Sequence, residues 1–157
     1  MKSTAQDLAP DAIVSLYKIE LTNTGTPTVI YFTPYQEVTW LGKTYSEIPC
    51  TMTQMEQDSQ GRANRPKFTF VNPGGVFTSA IQQGKMNNAE LMRYRLLKAD
   101  LDANIDAKVT EKFFVSKVLM VNKDMVSVEL RDVFDGHMFK FPARSYYPPK
   151  FPNVSLF

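Results

Sequence analysis

The sequence predicts a mainly β fold: antiparallel sheets forming a split β-barrel, with one short helix and an extended C-terminal tail. Three observations predict it. Apolar residues recur with a period of two in short runs, most plainly Phe68-Thr69-Phe70 and Val126-Ser127-Val128-Glu129-Leu130. Turn-forming clusters separate those runs, among them Asn23 to Pro27, Gly42, Pro73-Gly74-Gly75 and Asn122-Lys123-Asp124. Finally, Pro142, Pro148, Pro149 and Pro152 crowd one end of the chain, where they block both a helix and a central strand.

Taken in order, residues 1–10 are polar and mixed and read as an N-terminal arm. A β-rich body is expected over 11–141 and an extended tail over 142–157. The body opens with a long strand from Asp11 to Thr22, with Ile13, Tyr17, Ile19 and Leu21 on one face. A turn leads to a second strand, Val29 to Phe32, which Pro34 stops. Glu37 to Tyr45 reads as a tight hairpin with Gly42 completing a bulged turn and Trp40 and Tyr45 as cross-strand partners. Thr51 to Glu56 is a short strand and Asp58 to Asn64 a polar loop. Pro66 to Asn72 alternates, placing Phe68 and Phe70 together. Val76 to Gln83 is the short helix, with Gly84 as its cap. Ala89 to Leu101 suits both periods and is assigned as strand from its neighbours; Asp100 to Thr110 reads as loop. The clearest hairpin joins Phe113–Val121 to Met125–Val133, with Val126, Val128 and Leu130 facing inward.

Composition excludes several function classes. The 157 residues are 43% apolar and 22% charged, a balance that supports a packed core. No run of apolar residues is long enough to span a membrane, and Ile13 to Tyr17, preceded by Asp7 and Asp11, is too short for a secretory signal. Eighteen basic against 16 acidic residues leave a net charge of +2, too even for a chain whose main partner is nucleic acid. With one cysteine and one histidine, the chain has no internal disulfide and no multi-cysteine metal site.

The remaining chemical candidates are weak. Cys50 and His137 are the minimum for a thiol nucleophile and its base, but Cys50 follows Ile48-Pro49 with no helix N-terminus to lower its pKa. His137 with Asp132 and Asp135 could approach a metal, though that spacing is more often a solvated turn. Pro73-Gly74-Gly75 lacks the spacing and the lysine of a phosphate-binding loop. Arg62, Arg65 and Lys67 beside Phe68 and Phe70 could form a base-stacking face, against the reading of two core aromatics next to a solvated loop. Arg93, Arg95 and Lys98 read as one polar strand face, and Glu129 with Asp132 lacks a pocket to separate two carboxyl pKa values. No cofactor and no metal is expected.

One constellation is more specific. Val38-Thr39-Trp40-Leu41-Gly42-Lys43-Thr44-Tyr45, then Pro49, Gly61 and Arg65-Pro66-Lys67-Phe68-Thr69-Phe70-Val71-Asn72, resembles the minor tail protein L family of lambda-type long-tailed phages. The resemblance takes in Ser15 to Thr22 and continues more weakly to Leu130 and the Phe139-Pro142-Arg144 region, roughly residues 12 to 144. Lambda-type members carry a cysteine-rich C-terminal region that holds an iron–sulfur cluster. No cysteine follows Cys50 here, so no ligand position carries over and a hub domain without a cluster is expected.

The resemblance implies a non-enzymatic virion protein of the tail tip, or baseplate hub, made in the host cytoplasm. It would form a ring, as a homotrimer, between the distal tail ring and the central tip protein that engages the host. Trp40, Tyr45, Tyr146, Tyr147 and Phe151 are the candidate subunit contacts, because aromatics supply most interface anchors. Each could equally be core, Trp40 above all. Two alternatives stand beside this reading: a β-barrel binder of single-stranded nucleic acid using Arg62 to Phe70, and a tail-associated cell-wall hydrolase using Cys50.

Overall fold

The computed structural model of the chain describes residues 12–21, 28–53 and 64–133. Nine strands form one sheet: β1 (Ile13–Leu21), β2 (Thr28–Thr33), β3 (Val38–Trp40), β4 (Lys43–Glu47), β5 (Cys50–Met52), β6 (Lys67–Val71), β7 (Glu90–Leu97), β8 (Val109–Val121) and β9 (Met125–Asp132). Their order across the sheet is β3-β4-β2-β1-β7-β8-β9-β6-β5. Two helices interrupt them, α1 (Val76–Gln82) and α2 (Lys98–Asp102). The mainly β class is thus as expected.

β1 sits inside the sheet, paired to β2 on one side and β7 on the other. Its sequence is apolar at both parities, so it serves two cores. Tyr17, Ile19 and Leu21 enter the larger one with Phe32, Phe68, Phe70, Phe77 and Val128. Val14 and Leu16 point the other way, into a smaller core with Trp40, Tyr45, Leu96 and Leu101. Ile13, expected on the inner face, is 61% exposed, because it lies at the strand's outer end.

The sheet curls until distant strands touch. β2 and β6 are far apart in the strand order, yet the rings of Phe32 and Phe68 lie 6.1 Å apart and those of Phe32 and Phe70 6.3 Å. Tyr17 of β1 reaches Phe68 at 5.1 Å. The segment 43–52 explains how both margins are held. Its first half, β4, lies beside β2, and its second half, β5, beside β6. At the junction, the Ile48 N–H donates to the Thr33 carbonyl at 2.9 Å and the Val71 N–H to the Pro49 carbonyl at 3.0 Å. The split-barrel expectation therefore takes the form of a single open sheet whose two ends, the β3–β4 hairpin and β5, follow one another in the chain.

Three details differ from the sequence reading. The sheet is mixed, since β2 and β4 pair in parallel: the chain passes the slot beside β2, and the β3–β4 hairpin brings β4 back into it. There are two helices, because β7 stops at Leu97 and Lys98–Asp102 then makes one turn that buries Leu101. The Lys98–Asp102 ion pair spans that turn. The hairpin turn also has no bulge. Leu41 and Gly42, with φ of 50° and 72°, form a two-residue connection of the type I′ kind. Trp40 consequently pairs with Lys43 and Val38 with Tyr45, and the two aromatics meet diagonally at 6.4 Å.

Leu41 is costly there, because a branched side chain in the left-handed region crowds its own carbonyl. Its N–H is held by the Asn104 side-chain oxygen at 2.8 Å, and Asn104 itself has φ of 55°. Asn tolerates this conformation and prefers this turn position. Leu41→Asn is expected to raise stability by about 0.5–1 kcal/mol, read as a higher urea midpoint at unchanged slope.

Asn72, which ends β6, joins three elements. Its side-chain oxygen accepts the Phe77 N–H at 3.0 Å, and its amide donates to Thr78 Oγ1 at 2.8 Å and to the Asn122 carbonyl at 3.3 Å. The residue is 2% exposed, so water cannot replace those bonds. Asn72→Ala is expected to cost about 2–3 kcal/mol in chemical denaturation, by stranding a helix N–H and a hairpin carbonyl.

Candidate interaction surfaces

The structure gives each chemical candidate a place. Cys50 is half-buried at the start of β5, and burial pushes its thiol up to about 12, against a smaller opposing pull from Arg93. A thiol held in that range stays protonated near neutral pH and is a poor nucleophile. His137 and Asp135 lie outside the described residues. Among the described residues, no group of three or more His, Cys, Asp or Glu is placed to hold a metal ion. The Gly74-Gly75 turn does precede a helix, but Asn72 already occupies the first free N–H of α1.

The base-stacking face is absent where the sequence suggested it. Phe68 and Phe70 are 0% and 1% exposed and belong to the larger core. Their neighbour Arg65 bonds Glu129 at 3.2 Å and Ser116 at 3.1 Å; Arg62 lies outside the described residues. Arg93 and Arg95 do share one strand face, as expected, and both pair with Glu111, at 3.5 and 2.6 Å. Lys98 starts α2 and pairs with Asp102 at 2.7 Å. These cations answer carboxylates of their own chain.

Of the candidate subunit contacts, Trp40 and Tyr45 are each 2% exposed and pack in the smaller core. Trp40 Nε1 donates to the Ile105 carbonyl at 3.2 Å, and the Lys108 ammonium sits 5.0 Å from the Trp40 ring centre and 5.5 Å from that of Tyr94. Tyr45 meets Tyr31 edge-on at 5.3 Å, and burial raises its phenol pKa. Both aromatics pack inside the chain, where they hold the hairpin against the smaller core. Tyr146, Tyr147 and Phe151 lie outside the described residues.

Two surfaces that the sequence reading missed are better suited to partners. The first is the far end of β8. Ladder pairing with β7 stops at Phe114, and Val115 makes the last backbone bonds on that side, with Asn88 and Ala89. From Ser116 to Val121, no other described strand pairs with that edge, while β9 lines the opposite one. Leu119, Met120 and Val121 are 41%, 43% and 37% exposed, and Met125 across the turn is 41% exposed. An unpaired apolar edge invites a strand from another chain. Two register shifts, after Val115 and after Val118, twist it locally. The only hint in the sequence was the unbroken run Val118 to Val121, which hairpin alternation alone does not require.

The second is a cleft between the β2–β3 turn and α2, floored by Val14, Val38 and Leu101 and edged by Pro34, Glu37 and Glu47. It draws on four separate stretches of the chain, so no local motif announces it.

Compared with known protein families, residues 22–148 match the family described as phage minor tail protein L. No curated protein matches the chain.

Proposed function

We infer the role of this chain from one premise: it belongs to the phage minor tail protein L family. Membership makes it a structural component of a phage tail, and hence of the virion, that contacts other tail proteins. Beyond this we propose a hub of the tail tip, present as a homotrimeric ring between the distal tail ring and the central tip protein, and acting without catalysis. The observation that supports the finer reading is the edge of β8 from Ser116 to Val121, which no other described strand pairs, with its exposed Leu119, Met120 and Val121. A body that completes two cores of its own and still leaves an apolar strand edge is suited to repeated contacts around a symmetry axis. Tyr146, Tyr147 and Phe151 are proposed as further anchors, on an arm over 142–157 that docks on adjoining subunits.

A nonsense mutant of the gene, complemented in trans, tests this role. Without the protein, particles are expected to lack finished tails, and antibody against the complemented protein should label the tail end distal to the head. Label along the tail shaft or at the head, or normal tails in its absence, contradicts the hub assignment.

A further inference from the structure

We propose that the cleft between the β2–β3 turn and α2 receives residues 142–152 of a neighbouring copy of this chain, with Lys150 set against Glu37 and Glu47. This rests on the reading of the chain as a subunit that assembles with its own copies. The cleft has a volume of about 430 Å³, within the range of roughly 300–1,000 Å³ for clefts that take ligands. Its floor is apolar, and Tyr35 on its wall is 40% exposed. Three carboxylates line it, from Glu37, Glu47 and Asp102, against the single ammonium of Lys98. Lys98 is committed to Asp102 at 2.7 Å. Glu37 and Glu47 have no ion-pair partner among the described residues, so the cleft carries negative charge in excess.

The tail has the complementary composition. From Gly136 onward the sequence contains Lys140, Arg144 and Lys150 and no Asp or Glu. Around Lys150 it reads Tyr147-Pro148-Pro149-Lys150-Phe151-Pro152. Proline fixes such a segment in an extended form before it binds, which lowers the entropy lost on docking, and its rings suit shallow apolar grooves. A cationic proline–aromatic strand matches an apolar cleft with unanswered carboxylates; an acidic segment would be repelled. In the strand order the last described strand, β9, is separated from β2 by β8, β7 and β1, and the curl brings its neighbour β6 against β2 on the side of the larger core, while the cleft lies on the side of the smaller one. A cleft on one copy and an arm on the next form a head-to-tail contact, the kind that closes into rings.

The test uses the full-length chain with Cys50→Ser, which removes the one native thiol. Tyr35→Cys and Phe151→Cys are placed on separate copies carrying tags of different size, co-expressed and oxidised. Tyr35 is exposed, so the change spares both cores. The expected result is a disulfide-linked dimer of mixed size. Glu37→Lys with Glu47→Lys should lower its yield roughly tenfold, and adding Arg144→Glu with Lys150→Glu on the partner copy should restore it. Absence of the mixed dimer overturns the proposal. So does a bond formed only within one chain when both cysteines are placed on it. The same pair introduced into virions separates the two readings: virions that hold the chain without the link remove the cleft assignment and leave the tail role standing, whereas a chain missing from virions removes both.

Discussion

Phe68→Ala is expected to destabilise the body by about 3–5 kcal/mol, a large part of the roughly 5–15 kcal/mol that holds a domain folded. Phe68 is 0% exposed, and its ring contacts Tyr17, Phe32 and Phe70 at 5.1, 6.1 and 5.5 Å. Those partners come from β1, β2 and β6, so this one ring fastens the two sides of the curl. Truncation removes both the transfer free energy of the ring and the contacts that keep the margins together, leaving a cavity that a curled sheet cannot collapse to fill. The measurement is urea unfolding followed by tryptophan fluorescence, which Trp40 alone reports. Phe68→Leu, which keeps most of the volume, should cost less than half as much. A loss under 1 kcal/mol for the alanine variant would mean that the contact between the sides is not what holds the curl.

Deleting Ser145 to Phe157 is expected to have the opposite profile, with a small effect on the body and a severe one on assembly. Among the described residues, the two cores draw their buried side chains from Val14 to Leu130. Cooperative unfolding should therefore survive the deletion with a midpoint close to that of the full chain. Incorporation into particles should fall to background, because the deletion removes Tyr146, Tyr147 and Phe151 together with Lys150. Loss of cooperative unfolding in the truncated chain would show instead that the tail is part of the body.

Local pattern revealed the strands and left their closure hidden. Phe68-Thr69-Phe70 and Val126 to Leu130 alternate in the sequence and are buried as that alternation demands, and the β8–β9 hairpin turns at Asn122-Lys123-Asp124 as read. The motif that carries the family resemblance also proves to be structural: Trp40, Gly42 and Tyr45 build the hairpin, and Asn72 ties β6 to α1. What stayed out of reach depends on partners distant in sequence. β4 is five residues long, and nothing within it says that its neighbour is the parallel β2 rather than an antiparallel strand. A helix of one turn, such as α2, is too short to show a period. Trp40 reads equally well as an anchor or as core, because the carbonyl that satisfies its indole belongs to Ile105, 65 positions on. The cleft and the β8 edge that no other described strand pairs are products of topology, and such surfaces appear only once the strands are in order.

The most direct test is a cryo-electron microscopy map of the tail tip of the phage that encodes this chain. Density is expected for the curled nine-stranded body in three copies around the tail axis, between the distal ring and the central tip protein. Each β8 edge should be covered by an adjoining chain. A tip whose density is fully accounted for by other proteins, or one that holds this chain as a single copy with the Ser116–Val121 edge bare to solvent, would contradict it.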